Sequence, residues 1–343
     1  MATKKYTLPR HTILAKQGPR LGAFLIDLAI AVALTLGLVR FVFSYAFRFK
    51  VEPLSKKMDE IRLKSELFYL KDNQISYYLV TDDNNTFKSG LEHFYTVYIP
   101  YEDVDADKPA KLKDGTLVDK KEYFTKEWFN SEILKIEGDG AGLFAYQYDG
   151  ETPLKGESAL IKEDASAESV NRFLQHAWTQ ANYDLNQLES FKKINREYEF
   201  YGTVELVLAS LIATAFTYIL MPLIFKNGAT LGKKAFGLCL AHSDGYKMKN
   251  VQLLMRIMPL YVVILALLIP IWARAYMQLL LFIVMLLVSF ALSMSSPKRM
   301  ALHDFTARTI VVDARSSTLF NDSTEEELFI AKEDGISLDE INE

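Results

Sequence analysis

Apolar residues in this chain gather in blocks too long for an ordinary core helix, and that constrains the fold before anything else does. Residues 21–45 are broken only by Asp27 and Arg40, and 202–225 carry one acid, Glu205, near their start. Residues 257–273 hold no charge, and neither do 277–294. About 20 apolar residues at helical rise match the hydrocarbon thickness of a bilayer. Four spanning helices are therefore expected at 21–46, 202–225, 257–273 and 276–295. Buried core helices are the alternative, but two uncharged runs separated only by Arg274, Ala275 and Tyr276 fit poorly in a soluble core. A cleaved leader ending at Ser44-Tyr45-Ala46 is a further alternative. The first run exceeds the 7–15 apolar residues such a leader carries, and it contains an acid.

Orientation follows from the loops. Lys4, Lys5, Arg10, Lys16 and Arg20 precede the first run without an acid. Lys226, Lys233, Lys234, Lys247, Lys249 and Arg256 lie between the second and third runs against Asp244 alone. Lys298, Arg299 and Arg308 follow the fourth. All three clusters fall on one side of a four-helix path, and excess Lys and Arg marks the cytoplasm. A multi-pass membrane protein with both termini cytoplasmic is the expectation. It has a basic N-terminus (1–20), a cytoplasmic loop (226–256), a juxtamembrane segment (296–313) and an acidic tail (314–343). The sole cysteine, Cys239, falls on the cytoplasmic side, so the outward segment 48–199 has neither disulfide nor thiolate metal site.

That outward segment reads as an α+β domain inserted between the first two spans. Val170, Leu174, Ala177, Ala181, Leu185, Leu188, Phe191, Ile194 and Tyr198 recur at three- and four-residue spacing, the stripe of one helix face. No Gly or Pro separates this stripe from the second span before Gly202. Leu54, Met58, Ile61 and Phe68 form a shorter stripe, with Pro53 as the expected helix start. Residues 74–80, 94–101 and 142–150 are rich in Tyr, Phe, Val and Ile and flanked by turn residues, which predicts strands. These strands serve core packing or line a ligand groove. Residues 120–138 read as helical.

On the cytoplasmic side, 231–236 predict a short interfacial helix, followed by a hairpin around Ser243-Asp244-Gly245. Ser296 and Pro297 read as an N-cap and first helical position, leading to a β-branched run at 309–312. A short helix is expected near 324–332 of the tail, which otherwise reads as solvated and mobile.

The sequence resembles the RDD family of bacterial membrane proteins, named for an arginine and two aspartates. Arg20 opens the first span, Asp27 sits within it, and Asp304 lies in a later Leu-His-Asp. "TLGKKAFGL" after the second span and "LHDFTARTIVV" after the fourth complete the resemblance, which covers about 18–46 and 202–313 and leaves the outer segment aside. The resemblance implies a multi-pass membrane protein, with transport suspected and sodium–proton exchange linked to some members.

Asp27 follows Arg20 by seven residues, which returns to within about 20° of the same helix face but some 10 Å further along. That is long for direct contact. Arg20 at the interface can snorkel, whereas Asp27 cannot. Asp27 is therefore either protonated or facing a protein partner or water, and it is the candidate for an ion or proton pathway. Asp304, on the same side, is the expected ion-pair partner of Arg20. The three residues either pin the first helix to the C-terminal segment or serve ion movement.

Other chemistry is sparse. The five histidines are scattered over both sides, and 227–250 matches no phosphate loop. No catalytic constellation, cofactor or metal site is expected, and an acidic chain with topologically explained cations gives no support for nucleic-acid binding. The partners expected are the bilayer, further copies of the chain in a homo-oligomer, and a ligand or protein for the outer domain. Two functions stand open. One is transport of an ion or small solute; the other is a membrane-anchored binding or scaffold protein.

Overall fold

The computed structural model describes residues 8, 11–78, 83–112, 115–154, 156–225, 228–266 and 274–333, the side chains of 274–279 and 281 excepted. The chain is predominantly helical and forms two compact units, one of residues 49–201 and one of residues 1–48 with 202–343.

In the unit of 49–201, the helical stripe forms as expected. Val170, Leu174, Ala181, Leu185 and Phe191 are buried, and Ala177, Leu188 and Ile194 pack partly against the same core, while Tyr198 is exposed. The stripe belongs to two helices, not one. Ala167–Gln187 ends where Leu188 turns to an extended ψ of 133°, and Glu189–Ala215 begins anew. Gly202 does not interrupt the second. Pro53 lies inside the helix Ser44–Lys64 instead of starting it. Asp83 caps Asn84–His93 by accepting from the Asn85 and Thr86 amides.

Residues 94–101 are not a strand. The helix runs on from His93 into a π-helical segment, Phe94–Glu102. Their aromatic, β-branched composition suits a strand, but Phe94 with Tyr98 and Tyr95 with Ile99 are spaced for a helix, and all four are buried. Of two other predicted strands the described residues show short ribbons: Gln74–Ser76 pairs with Tyr69–Lys71, and Phe144–Ala145 with Leu160–Ile161, while residues 79–80 of the first lie outside the described residues. Among the described residues this unit is therefore helix-led, with two-stranded ribbons at most. Residues 120–138 are broken helix: Lys120–Tyr123, Lys126–Trp128 and a π-helical Phe129–Ile133.

The other unit contains the apolar runs. The continuous helical stretches Gln17–Lys64 and Glu189–Ile224, each of which enters this unit, are long and apolar enough to cross a membrane; the apolar helices Asn250–Leu265 and Arg274–Ser295 follow. Of the third predicted span, residues 267–273 lie outside the described residues. The first helix, Gln17–Leu38, buries Ala23, Asp27 and Ala31 and exposes Leu21, Leu25, Val32 and Leu36. Around Ala209, Ala213, Thr214 and Thr217, all buried, Leu208, Ile212 and Leu220 are exposed. Small and polar residues inside with large apolar residues outside is the pattern of helices surrounded by lipid.

Strand Leu238–His242 pairs antiparallel with Thr309–Asp313, with Cys239 opposite Val312 and Leu240 opposite Val311. Ala15 and Ile13 bond to the outer edge of the second strand. Side chains alternate across a strand, so Leu238, Leu240 and Val311 pack with Ala23 and Leu253, while Cys239, Ala241, Ile310 and Val312 pack with Met300. Both faces are covered, which is why these strands read as continuous apolar runs. The predicted hairpin around Ser243 shrinks to a single bridge, Ala241 to Lys247, on the edge opposite the run 309–312, and the Lys247 amide donates to the Phe320 carbonyl instead of extending the ladder.

Ser296 and Pro297 close the helix Arg274–Ser295 rather than opening one; the next helix is Leu302–Ala307. The tail is docked, contrary to the solvated reading, as far as residue 333. Phe320 is buried, the rings of Phe320 and Phe329 meet His11 edge-on, and Tyr246 Oη donates to Glu326. The helix Ser323–Glu333 matches the one expected there.

Candidate functional site

Asp27 sits one turn beyond Ala23 on the buried face of the first helix and is 1% exposed. Its donors come from the segment after the second apolar run. Thr230 is the N-cap of the helix Leu231–Ala235. Its hydroxyl donates to Asp27 Oδ2 at 2.5 Å, and the Gly232 amide donates to Oδ1 at 2.8 Å. Lys233 Nζ stands 3.7 Å from Oδ2. A helix start leaves amides without partners, and a carboxylate satisfies one here while facing the positive end of the helix. Glycine is required at 232: a Cβ there would lie 2.2 Å from the Ala23 carbonyl oxygen and 2.9 Å from Asp27 Oδ1. Gly22 faces the Phe236 ring, 2.4 Å from where a Cβ would lie, a close approach to a side chain and not to backbone. "TLGKKAF" is thus the counter-surface of the first helix.

Asp304 is fully buried and more heavily bound. Arg20 Nη2 donates to Oδ2 at 3.2 Å, and Arg256 Nη1 makes a short contact with Oδ1. The Ala301 amide donates to Oδ2 at 3.0 Å, and the Thr309 hydroxyl to Oδ1 at 3.2 Å. The amide bond also places Asp304 as a cap on its own helix. Arg20 Nη1 reaches the Arg299 carbonyl at 2.5 Å, and Arg299 Nη1 the Ala15 carbonyl at 3.0 Å. Gln252 holds the end of the same helix through the Ala307 carbonyl at 2.8 Å.

Electrostatics follow from burial. Burial alone would raise the Asp304 carboxyl, but Arg256, the Ala301 amide and Arg20 outweigh it and hold the group at about 2. For Lys233, burial and then Arg256 pull the ammonium down to about 8, against the pull of Asp27 and Asp304. Burial pushes the Cys239 thiol up to about 11, which makes it a packing residue and not a reactive one.

The structure therefore brings Arg20 and Asp304 into contact and gives Asp27 a protein partner. Arg20 and Asp27 each bond to a different segment. Arg256, Thr309, Thr230, Gly232 and Lys233 were missed as members of the cluster. One signal for them was available: a lone carboxylate in an apolar run needs donors, and a threonine cap followed by glycine supplies both a hydroxyl and a free amide.

Residues 173–308 match the model of the RDD family. No curated protein and no solved structure matches the chain. The match takes in Thr230, Gly232, Lys233, Arg256 and Asp304 but starts downstream of Arg20 and Asp27. It also begins inside the unit of 49–201, so 173–199 are not outside the resemblance as the motifs alone suggested. With those motifs, the match identifies this chain as one that carries an RDD-family region at residues 173–308.

Proposed function

We propose that this is a four-span membrane protein in which the charged cluster is a latch and the unit of 49–201 is a binding module. In this reading both termini are cytoplasmic, residues 48–199 face outward, and the membrane part anchors a domain that captures a ligand or envelope partner. The observation that carries it is the occupancy of both carboxylates. All four oxygens of Asp27 and Asp304 accept hydrogen bonds from protein donors. Each oxygen keeps further lone-pair capacity, but burial and fixed protein donors hold both carboxylates in one place, as a structural pin requires. The inside-out helices support the membrane embedding, and the three basic clusters support the orientation.

Transport is the second reading, favoured by one contact. Lys233, held near 8, stands 3.7 Å from Asp27, so a cation that changes charge near neutral pH touches an acid in a membrane helix. In that case Asp27 carries a proton or cation, and a homo-oligomer encloses the path, since four helices rarely do so alone.

Flux of sodium and protons in proteoliposomes containing only this protein separates the two. The latch reading expects flux no greater than in empty liposomes, and Asp27→Asn to cost about 1–3 kcal/mol of stability through weakened hydrogen bonds. Flux that vanishes in a fully folded Asp27→Asn protein would overturn it. A reporter fused after residue 343 should be cytoplasmic and one at Gly115 outside; the reverse would sink the topology.

A further inference from the structure

We infer that the cytoplasmic cluster of Arg20, Lys233 and Arg256 is a binding site for one phosphate group, supplied by an anionic lipid headgroup. This rests on the four-span reading, which puts the cluster at the inner boundary of the bilayer. Three elements each deliver one cation: the first helix gives Arg20, the cap helix Leu231–Ala235 gives Lys233, and Asn250–Leu265 gives Arg256. Two carboxylates, Asp27 and Asp304, stand among them, so three positive charges face two negative ones. Arg299 adds a further cation within electrostatic reach of Arg20.

The charges act on one another: after burial, Arg256 and Arg20 disfavour the charge on Lys233, while Asp27 and Asp304 favour it. The arginines are not sealed off: the side chains of Arg20 and Arg256 are 10% and 11% exposed, and that of Lys233 is 12% exposed. Large apolar side chains border them on the same helices, with Leu21 and Leu25 on one and Val251, Leu254 and Met255 on another, all exposed. A partly shielded positive excess beside an apolar surface matches a lipid that brings a phosphate and two acyl chains. Basic pockets between membrane helices on the cytoplasmic side bind such headgroups, and an anion bound there would relieve the repulsion among the three cations.

The test is thermal unfolding of the full chain in nanodiscs made of phosphatidylcholine alone, or with one lipid in three replaced by phosphatidylglycerol. Both leaflets have the same composition, so an inverted topology leaves the readout intact, and the reporter fusions test that separately. The expected result is a melting temperature about 5 °C higher with phosphatidylglycerol. Lys233→Gln should lose at least half of that difference, while Lys16→Gln, which removes an exposed cation on the same side, should keep it. A folding defect lowers both melts and leaves their difference, so the comparison survives a weakened variant. Inorganic phosphate added to phosphatidylcholine discs should give no rise. A full rise with phosphate would support the same site filled from solution. An absent difference in the unaltered protein, an undiminished one in Lys233→Gln, or an equal loss in Lys16→Gln would each overturn the proposal.

Discussion

In the unit of residues 49–201, the aromatic side chains Phe87, Phe94, Tyr95, Phe129, Phe144 and Phe191 lie inside, and most ion pairs lie outside. Glu52 with Lys56 and Glu168 with Arg172 are exposed pairs within single helices, of a kind worth a few tenths of a kcal/mol. Lys120 with Asp103, 3.7 Å apart and buried, and Lys88 with Glu92, 3.4 Å apart and mostly shielded, are exceptions. In the unit of 1–48 and 202–343 the arrangement is inverted. Its apolar side chains on the first helix point outward, while Asp27 and Asp304 are buried with their cations. The same residue types thus do opposite work. Where water surrounds a unit, burying apolar area drives its assembly. Where lipid does, that drive between helices is missing and polar contacts must specify the docking.

The largest effect should come from breaking the buried pair. Asp304→Ala leaves Arg20 and Arg256 facing each other without a carboxylate, and should cost about 4 kcal/mol, read from unfolding in mixed micelles. A cost near zero would make the first unit no different from the second in its use of charge. Next comes Phe129→Ala, which opens a void in the aromatic core and should cost about 3 kcal/mol. The fluorescence of Trp128 and Trp178 reports on that unit, and an unshifted transition would show that the core does not hold it.

An effect of similar size sharpens the electrostatic side. The folded protein holds Lys233 at about 8, below its ordinary 10.5, so between those values the unfolded chain binds the extra proton. Stability should therefore rise with pH from about 8 to 10.5, by about 3 kcal/mol. Lys233→Gln should flatten that rise. For Asp304, held at about 2 against 3.8, the sign is opposite, and the stability it contributes is lost as pH falls through that window.

Much of this was legible in the sequence, and the misses have physical causes. The stripe from Val170 to Ile194 was readable because burial on one helix face leaves a period. Arg20 could be assigned to Asp304 because the two lie on one side of the membrane path. Arg256 escaped notice because a cation beside an apolar run is already explained by orientation, and nothing local shows that it points inward. The strand pairing of 238–242 with 309–313 was hidden because the partners lie far apart in sequence, where no local pattern links them. Phe94–Glu102 misled because composition spoke for a strand while the uninterrupted helix before it decided otherwise. Arg256 also changes what a charge reversal would do: Arg20→Asp with Asp304→Arg places an arginine against Arg256, so little recovery is expected from it.

The central claim is that buried charge, and not ion passage, is the work of this cluster. It is tested most directly by a double-mutant cycle on Arg256 and Asp304, with Arg256→Met, Asp304→Leu and the pair together, read as unfolding free energy. The account predicts a coupling of at least about 2 kcal/mol, with the double variant more stable than Asp304→Leu alone. A coupling below about 0.5 kcal/mol, with each single variant near the stability of the unaltered protein, would contradict it.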